Sequence, residues 1–183
     1  MRKKMQRLMF SLFMPHPVNT SKNSHRNQAT LSNFLFSIVI ALALTLMPLP
    51  SNIEQYQPEW LLLFLIFWVV RKPETYGLGT VWILGLILDV IRGALLGQHA
   101  LGFVISCYLC QQFHQRAHLF SMPQQCILIP LALLPHFILS YLVYGLLDQS
   151  PSSWHYWLPI VSSTAIWPIV SIVLGGWRGA KTF

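Results

Sequence analysis

The chain has 183 residues, of which 54% are hydrophobic and only 9% are charged. Water-soluble domains carry about a quarter charged residues, so this composition excludes an ordinary soluble domain and indicates a polytopic membrane protein. The formal net charge is +7, but half of the basic residues precede the first long apolar run. This placement is typical of a cytoplasmic juxtamembrane tail, and it argues against a nucleic-acid-binding surface.

The first 30 residues form this basic tail. Residues 15–30 (PHPVNTSKNSHRNQAT) are polar and rich in turn formers, so we predict disorder there. The remaining chain contains no recognisable soluble domain or internal repeat. We therefore expect three parts: a cytoplasmic tail (residues 1–30), a helical membrane domain (31–178) and a short cytoplasmic tail (179–183).

Six apolar segments follow in chain order, and they predict an all-α bundle of about six transmembrane helices. They are residues 31–50, 60–70, 79–91, 95–113, 124–147 and a last segment ending near Trp177. The second and third are short for a hydrocarbon core of about 30 Å. We interpret them as crossings because the charges in the connections alternate on that assumption, although a hairpin packed within protein is the alternative.

The charges in the connections predict that both termini are cytoplasmic. Under the six-crossing assignment only Arg92 lies towards the outside, and the acidic residues Glu54, Glu59 and Asp148 lie outside. The other eleven basic residues lie inside: Arg2, Lys3, Lys4, Arg7, Lys22, Arg26, Arg71, Lys72, Arg116, Arg178 and Lys181. Such an asymmetry orients membrane proteins. Trp154, Tyr156 and Trp157 are expected to anchor the outer interface.

Catalytic and metal-binding patterns are sparse. Cys107, Cys110, His114 and His118 follow one stripe of a helix over about 16 Å, which is too extended for four ligands around one zinc ion. The five acids offer no paired-carboxylate site, and His136 with Ser140 would be an unsupported dyad. We therefore predict a protein that is not an enzyme and has no metal or cofactor.

One polar cluster lies inside an apolar stretch. Asp89 is followed by Arg92 one helical turn later and by His99 after a glycine-containing interruption. An intramembrane charge is a functional-site candidate by default. Two interpretations stay open: a cluster that faces a cavity or partner helix, and a fold-stabilising pair of Asp89 with Arg92.

Small residues recur at four-residue spacing beside this cluster. Gly93 and Gly97, and Gly102 and Ser106, have the small-xxx-small spacing that lets helix backbones approach closely. We expect them to serve helix packing, either within the bundle or against a partner's transmembrane helix.

Several short motifs follow one another in a fixed order along the chain. Pro58-Glu59-Trp60 opens a short apolar helix, Gly85-Leu-Ile-Leu-Asp89 precedes Gly93, Leu96-Gly97-Gln98-His99-Ala-Leu101 follows, and Thr164-Ala-Ile-Trp167-Pro168 lies in the last apolar segment. This ordered set, over about residues 32–178, resembles the rod shape-determining protein MreD family, and the last motif is similar to that family's final-helix pattern. The positions that carry the resemblance are Pro58, Trp60, Gly85, Asp89, Gly93, Gly97, His99, Trp167 and Pro168.

The resemblance implies a non-enzymatic protein of the bacterial inner membrane that maintains rod shape within the wall-elongation machinery. The implied partner is the transmembrane helix of MreC, with indirect links to MreB, RodA and penicillin-binding protein 2, and homo-oligomerisation is a further expectation. The family is also similar in fold to substrate-binding subunits of energy-coupling-factor transporters. A vitamin-binding transport subunit is therefore the alternative function.

Overall fold

The computed structural model describes residues 20–114, 122–148 and 154–176. Within these ranges every regular element is helical, which confirms the all-α prediction. The α-helices are α1 (Thr20–Leu46), α2 (Ser51–Glu54), α3 (Trp60–Arg71), α4 (Leu78–Arg92), α5 (Gln98–His114), α6 (Met122–Leu146) and α7 (Leu158–Gly176). A single 3₁₀ turn (Trp154–Trp157) precedes α7. Each of the six apolar segments thus contains one long helix.

The start of α1 differs from the composition-based expectation. The helix begins at Thr20, well before the apolar run that begins at Leu31, so residues 20–30 are helical. The chain divides into two compact units between residues 35 and 36, within this helix. The proposed tail and domain boundaries stay predictions, and the C-terminal tail lies outside the described residues.

Helix α3 forms the apolar centre of the second unit. All nine residues from 61 to 69 are buried, so the helix is apolar on every side and covered on every side. It packs against α5 and α7. The indole N–H of Trp68 donates a 2.9 Å hydrogen bond to Ser37 Oγ, which satisfies the polar atom of this buried side chain.

The remaining helices pack as sequential neighbours: α4 against α5, α5 against α6, and α6 against α7. Gly102 lies where α5 meets α6, because a Cβ atom there would lie only 3.0 Å from His136 Cα. The expectation that Gly102 serves close helix packing is therefore confirmed. Cys107 and Cys110 are buried free thiols in α5, and His118 lies outside the described residues.

Two segments of the described chain are long and apolar enough to cross a membrane: Gln124–Leu146 and Trp154–Gly175. Leu31–Leu46 and Trp60–Arg71 are apolar but shorter. Large apolar side chains remain exposed along α6 and α7, including Ile127 at 75% and Ile172 at 62%. A water-soluble surface would not carry such a face, whereas lipid covers it. The fold is therefore consistent with a helical membrane protein.

Candidate functional site

The turn between α4 and α5 is built on two glycines. Gly93 ends α4 with φ of 61°, and Gly97 precedes α5 with φ of 97°. Side chains rarely adopt this left-handed region, so glycine permits the reversal at both positions. A Cβ atom on either residue would meet nothing within 4 Å. Among the described residues Gly93 and Gly97 therefore shape the turn and do not join helices, and their packing against a partner's transmembrane helix stays a prediction.

The turn returns the start of α5 onto the Asp89 carboxylate. Asp89 is 0% exposed. Its Oδ2 accepts a 2.9 Å hydrogen bond from the Gly97 backbone N–H, and its Oδ1 accepts one of 2.9 Å from the His99 backbone N–H. Free N–H groups at a helix start favour a negative charge, so the carboxylate stabilises the beginning of α5.

The His99 ring supplies the third strong bond to this carboxylate. His99 Nδ1 lies 2.7 Å from Asp89 Oδ1, while Arg92 Nη1 lies 3.3 Å from His99 Nε2. Because a guanidinium can only donate, Nε2 accepts and the proton of a neutral ring resides on Nδ1. Arg92 Nη2 also lies 3.4 Å from the Thr45 carbonyl oxygen. The three side chains therefore form a chain of carboxylate, imidazole and guanidinium.

This arrangement changes the pairing considered from the sequence. The structure brings Asp89, Arg92 and His99 together, but within the described residues no ion pair joins Asp89 directly to Arg92, and the side chain that contacts the Asp89 carboxylate is the His99 imidazole. Asp89 has its acceptors occupied inside the chain, which favours the fold-stabilising interpretation. Arg92, in contrast, is exposed. It is the member of the group that is available to a ligand.

Gly85 fixes the distance between α4 and α5. A Cβ atom at this position would lie 2.8 Å from the Ala100 backbone nitrogen and would also overlap the Ala100 Cα. Both atoms belong to the backbone and cannot rotate away. Gly85 therefore sets the close approach that carries His99 to Asp89, a role that its sequence spacing did not indicate.

A cleft of about 1090 Å³ lies beside the polar centre. Arg92, Gln98 and His99 form one side, and Glu54 and Glu59 contribute carboxylates from the chain around α2. Tyr144 of α6 and Tyr156 before α7 complete the wall. Gln98 is a lining residue that sequence reasoning missed, although it lies within the same LGQHAL motif as His99.

His136 extends the aromatic environment of His99 without forming a catalytic dyad. Its ring centroid lies 5.5 Å from that of His99 and 5.0 Å from that of Phe103. His136 Nδ1 and Ser140 Oγ are both buried, and neither has a hydrogen-bond partner among the described residues. The two groups are thus not bonded to each other. Within those residues, no group of three or more acidic, histidine or cysteine side chains is placed to hold a metal ion.

The other resemblance-carrying positions join helices. Between Pro58 and Trp60, the Glu59 backbone N–H donates a 3.0 Å hydrogen bond to Ser163 Oγ, which connects the start of α3 to α7. Trp167 Nε1 donates to Gln125 Oε1 at 3.3 Å, which connects α7 to α6. Pro168 lies inside α7. None of Trp60, Trp167 and Pro168 lines the cleft, whereas Pro58 does.

Comparisons with known proteins identify the family. The family model of the rod shape-determining protein MreD matches residues 25–175. The rod shape-determining protein MreD of Haemophilus influenzae is 32% identical over 136 residues, which cover 74% of this chain and 84% of that protein. No solved structure matches the chain. A family match over most of the chain, together with this degree of identity, shows that the chain belongs to the rod shape-determining MreD family.

Proposed function

We propose that the protein is a non-enzymatic scaffold of the wall-elongation machinery, which binds the transmembrane helix of MreC and supports assembly of the peptidoglycan synthase. The observation that carries the proposal is family membership in a rod-shape-determining membrane protein family. The contacts of Asp89 support a scaffold, because the carboxylate of this fully buried residue already accepts hydrogen bonds from Gly97 and His99. The expectation that the protein is not an enzyme stays a prediction.

The proposed topology has six crossings with both termini in the cytoplasm of a bacterial inner membrane. The positions of the helix ends support crossings that alternate in direction. A Cβ atom on Gly175 would lie 3.3 Å from the Arg71 guanidinium, so the ends of α3 and α7 lie together. The chain around Glu59, the α4–α5 turn, the end of α6 and the start of α7 meet at the cleft. Antiparallel neighbours produce this arrangement.

The sides of the membrane follow from the charges. The end containing Arg71 carries a cation and is assigned to the cytoplasm, and the cleft end, with Glu54 and Glu59, is assigned to the outside. On this assignment α3 and α4 cross despite their length, since protein surrounds α3 and the bilayer can adapt locally. MreB, RodA and penicillin-binding protein 2 are the proposed indirect partners.

Depletion with complementation tests the scaffold proposal in the bacterium that encodes the chain. Loss of the protein is expected to convert rods into spheres and to abolish recovery of MreC in mild detergent, and the wild-type chain should restore both. A Glu74→Gln variant is the matched control, because Glu74 is exposed and does not line the cleft. If cells without this protein remain rods, and if the same proteins still co-purify with MreC, the proposal is refuted.

The alternative of a vitamin-type transport subunit gains no support from these findings. The matched family is described by rod shape, and no solved transporter subunit matches the chain. The similarity in fold to energy-coupling-factor subunits stays a prediction from resemblance.

A further inference from the structure

We propose that the cleft beside Arg92 binds the head group of a phospholipid that carries both a phosphate and a primary ammonium group, as phosphatidylethanolamine does. The inference rests on the membrane placement proposed above but on no protein partner. The volume of the cleft, about 1090 Å³, is slightly above the range of about 300–1,000 Å³ that is usual for small-molecule sites. The space therefore accommodates a head group together with the glycerol and the first part of the acyl chains.

The charges that line the cleft favour a zwitterion. Glu54 and Glu59 contribute two carboxylates, and Arg92 contributes one guanidinium. A purely anionic head group would meet an excess of negative charge, and a simple cation would leave the N–H donors of the guanidinium without an acceptor. A zwitterion can pair with both the carboxylates and the guanidinium, and such charge-assisted hydrogen bonds are stronger than neutral ones.

Two side chains that line the cleft each hold a buried polar atom without a partner in the part of the chain that the structure describes. Gln98 Nε2 is a donor and Glu59 Oε2 is an acceptor, and neither has a hydrogen-bond partner among the described residues. Both side chains line the cleft, and Gln98 is only 4% exposed. Buried polar groups are normally paired, so an unpaired donor and acceptor in one cleft indicate a ligand that accepts from one and donates to the other.

The positions of these groups indicate which side of the cleft binds the phosphate and which side binds the ammonium. Arg92 is oriented by His99 and by the Thr45 carbonyl oxygen, and with Gln98 it forms the donor side that takes the phosphate. Glu59 forms the acceptor side that takes the ammonium. A quaternary choline ammonium has no N–H to donate to Glu59, so a primary amine is preferred.

The surroundings of the cleft favour a lipid over a soluble ligand. Leu46, Ile91, Leu95 and Leu147 line it and expose between 41% and 56% of their surface. Tyr144 and Tyr156 line the same cleft, and tyrosine is enriched where membranes meet water. An amphipathic ligand matches this combination of a charged floor and apolar sides.

Native mass spectrometry of the full chain in mild detergent tests this proposal. The probes are phosphatidylethanolamine, phosphatidylglycerol and phosphatidylcholine with identical acyl chains. We expect about tenfold stronger retention of phosphatidylethanolamine, which corresponds to one charge-assisted hydrogen bond. Equal retention of the three lipids would overturn the proposal without any variant being needed.

Charge-removing variants locate the site. Glu59→Gln and Arg92→Gln are each expected to weaken phosphatidylethanolamine retention about tenfold, and Arg92→Lys by less because it keeps the charge. Glu74→Gln should retain the lipid as the wild type does. Thermal unfolding of each variant in detergent identifies misfolded chains. Unchanged retention in folded Glu59→Gln and Arg92→Gln would overturn the proposal.

Two further outcomes would also contradict it. Displacement of the lipid by an equal concentration of soluble glycerophosphoethanolamine would assign the cleft to a soluble zwitterion. Cross-linking of a Glu59→Cys variant to a protein segment, with no lipid retained, would assign it to a protein partner. Recovery of MreC is measured on the same variants, so a failure of lipid binding is distinguishable from a failure of the scaffold.

Discussion

Helix α3 and the Asp89 carboxylate beside the α4–α5 turn are both deeply buried, but different forces hold them. Helix α3 buries nine consecutive apolar or aromatic residues and depends on packing against its neighbours. The turn buries a carboxylate and depends on three short hydrogen bonds to Asp89. Packing tolerates small losses distributed over many contacts, whereas a buried charge depends on a few specific partners. The two regions should therefore respond differently to substitution.

Removal of the buried charge should have the largest effect. Asp89→Leu leaves the N–H groups of Gly97 and His99 and the His99 ring without their acceptor, at a cost of about 3–5 kcal/mol. We expect the free energy of unfolding in detergent, the protein level and MreC capture to fall together. Asp148→Asn, in an exposed position with φ of 54°, is the matched control and should change stability by less than about 0.5 kcal/mol. Normal protein level with lost MreC capture would instead place Asp89 in contact with a partner.

Truncation of one side chain in α3 should lower the free energy of unfolding by a comparable amount. Leu65→Ala in α3 removes a side chain that is 0% exposed, which should lower the free energy of unfolding by about 2–5 kcal/mol. Leu131→Ala in α6 is the control, because Leu131 is 50% exposed and should cost about 0.5 kcal/mol. Denaturant titration in detergent measures both. Equal losses would contradict the central position of α3.

Addition of one methyl group should have the smallest effect of the three. Gly85→Ala forces a Cβ atom onto the Ala100 backbone and should cost about 1–3 kcal/mol by separating α4 from α5. Gly79→Ala lies in the same helix, and its Cβ atom would meet nothing within 4 Å. The same titration should therefore find it neutral or slightly stabilising. A tolerated Gly85→Ala would show that the turn does not depend on this close approach.

Much of the helical framework was predictable because hydrophobic length is a local property. The segment expected at residues 79–91 is helix α4, which begins at Leu78 and ends at Arg92. The polar centre was predictable as a set of residue types, since a charge in an apolar run is conspicuous. The role of Gly85 was not predictable, because its position in the sequence does not identify the Ala100 backbone that it contacts.

The amino-acid sequence by itself determined the helical class, the family and the three residues of the polar centre, because apolar runs and ordered motifs are read along the chain. The tertiary structure decided which of these residues pair. His99 reaches Asp89 ten positions away only because Gly93 and Gly97 adopt left-handed backbone conformations and Gly85 lets α5 approach α4. Arg92, one helical turn from Asp89, is oriented by His99 and left exposed to the cleft. Pairing depends on distances across a turn, which residue spacing does not specify.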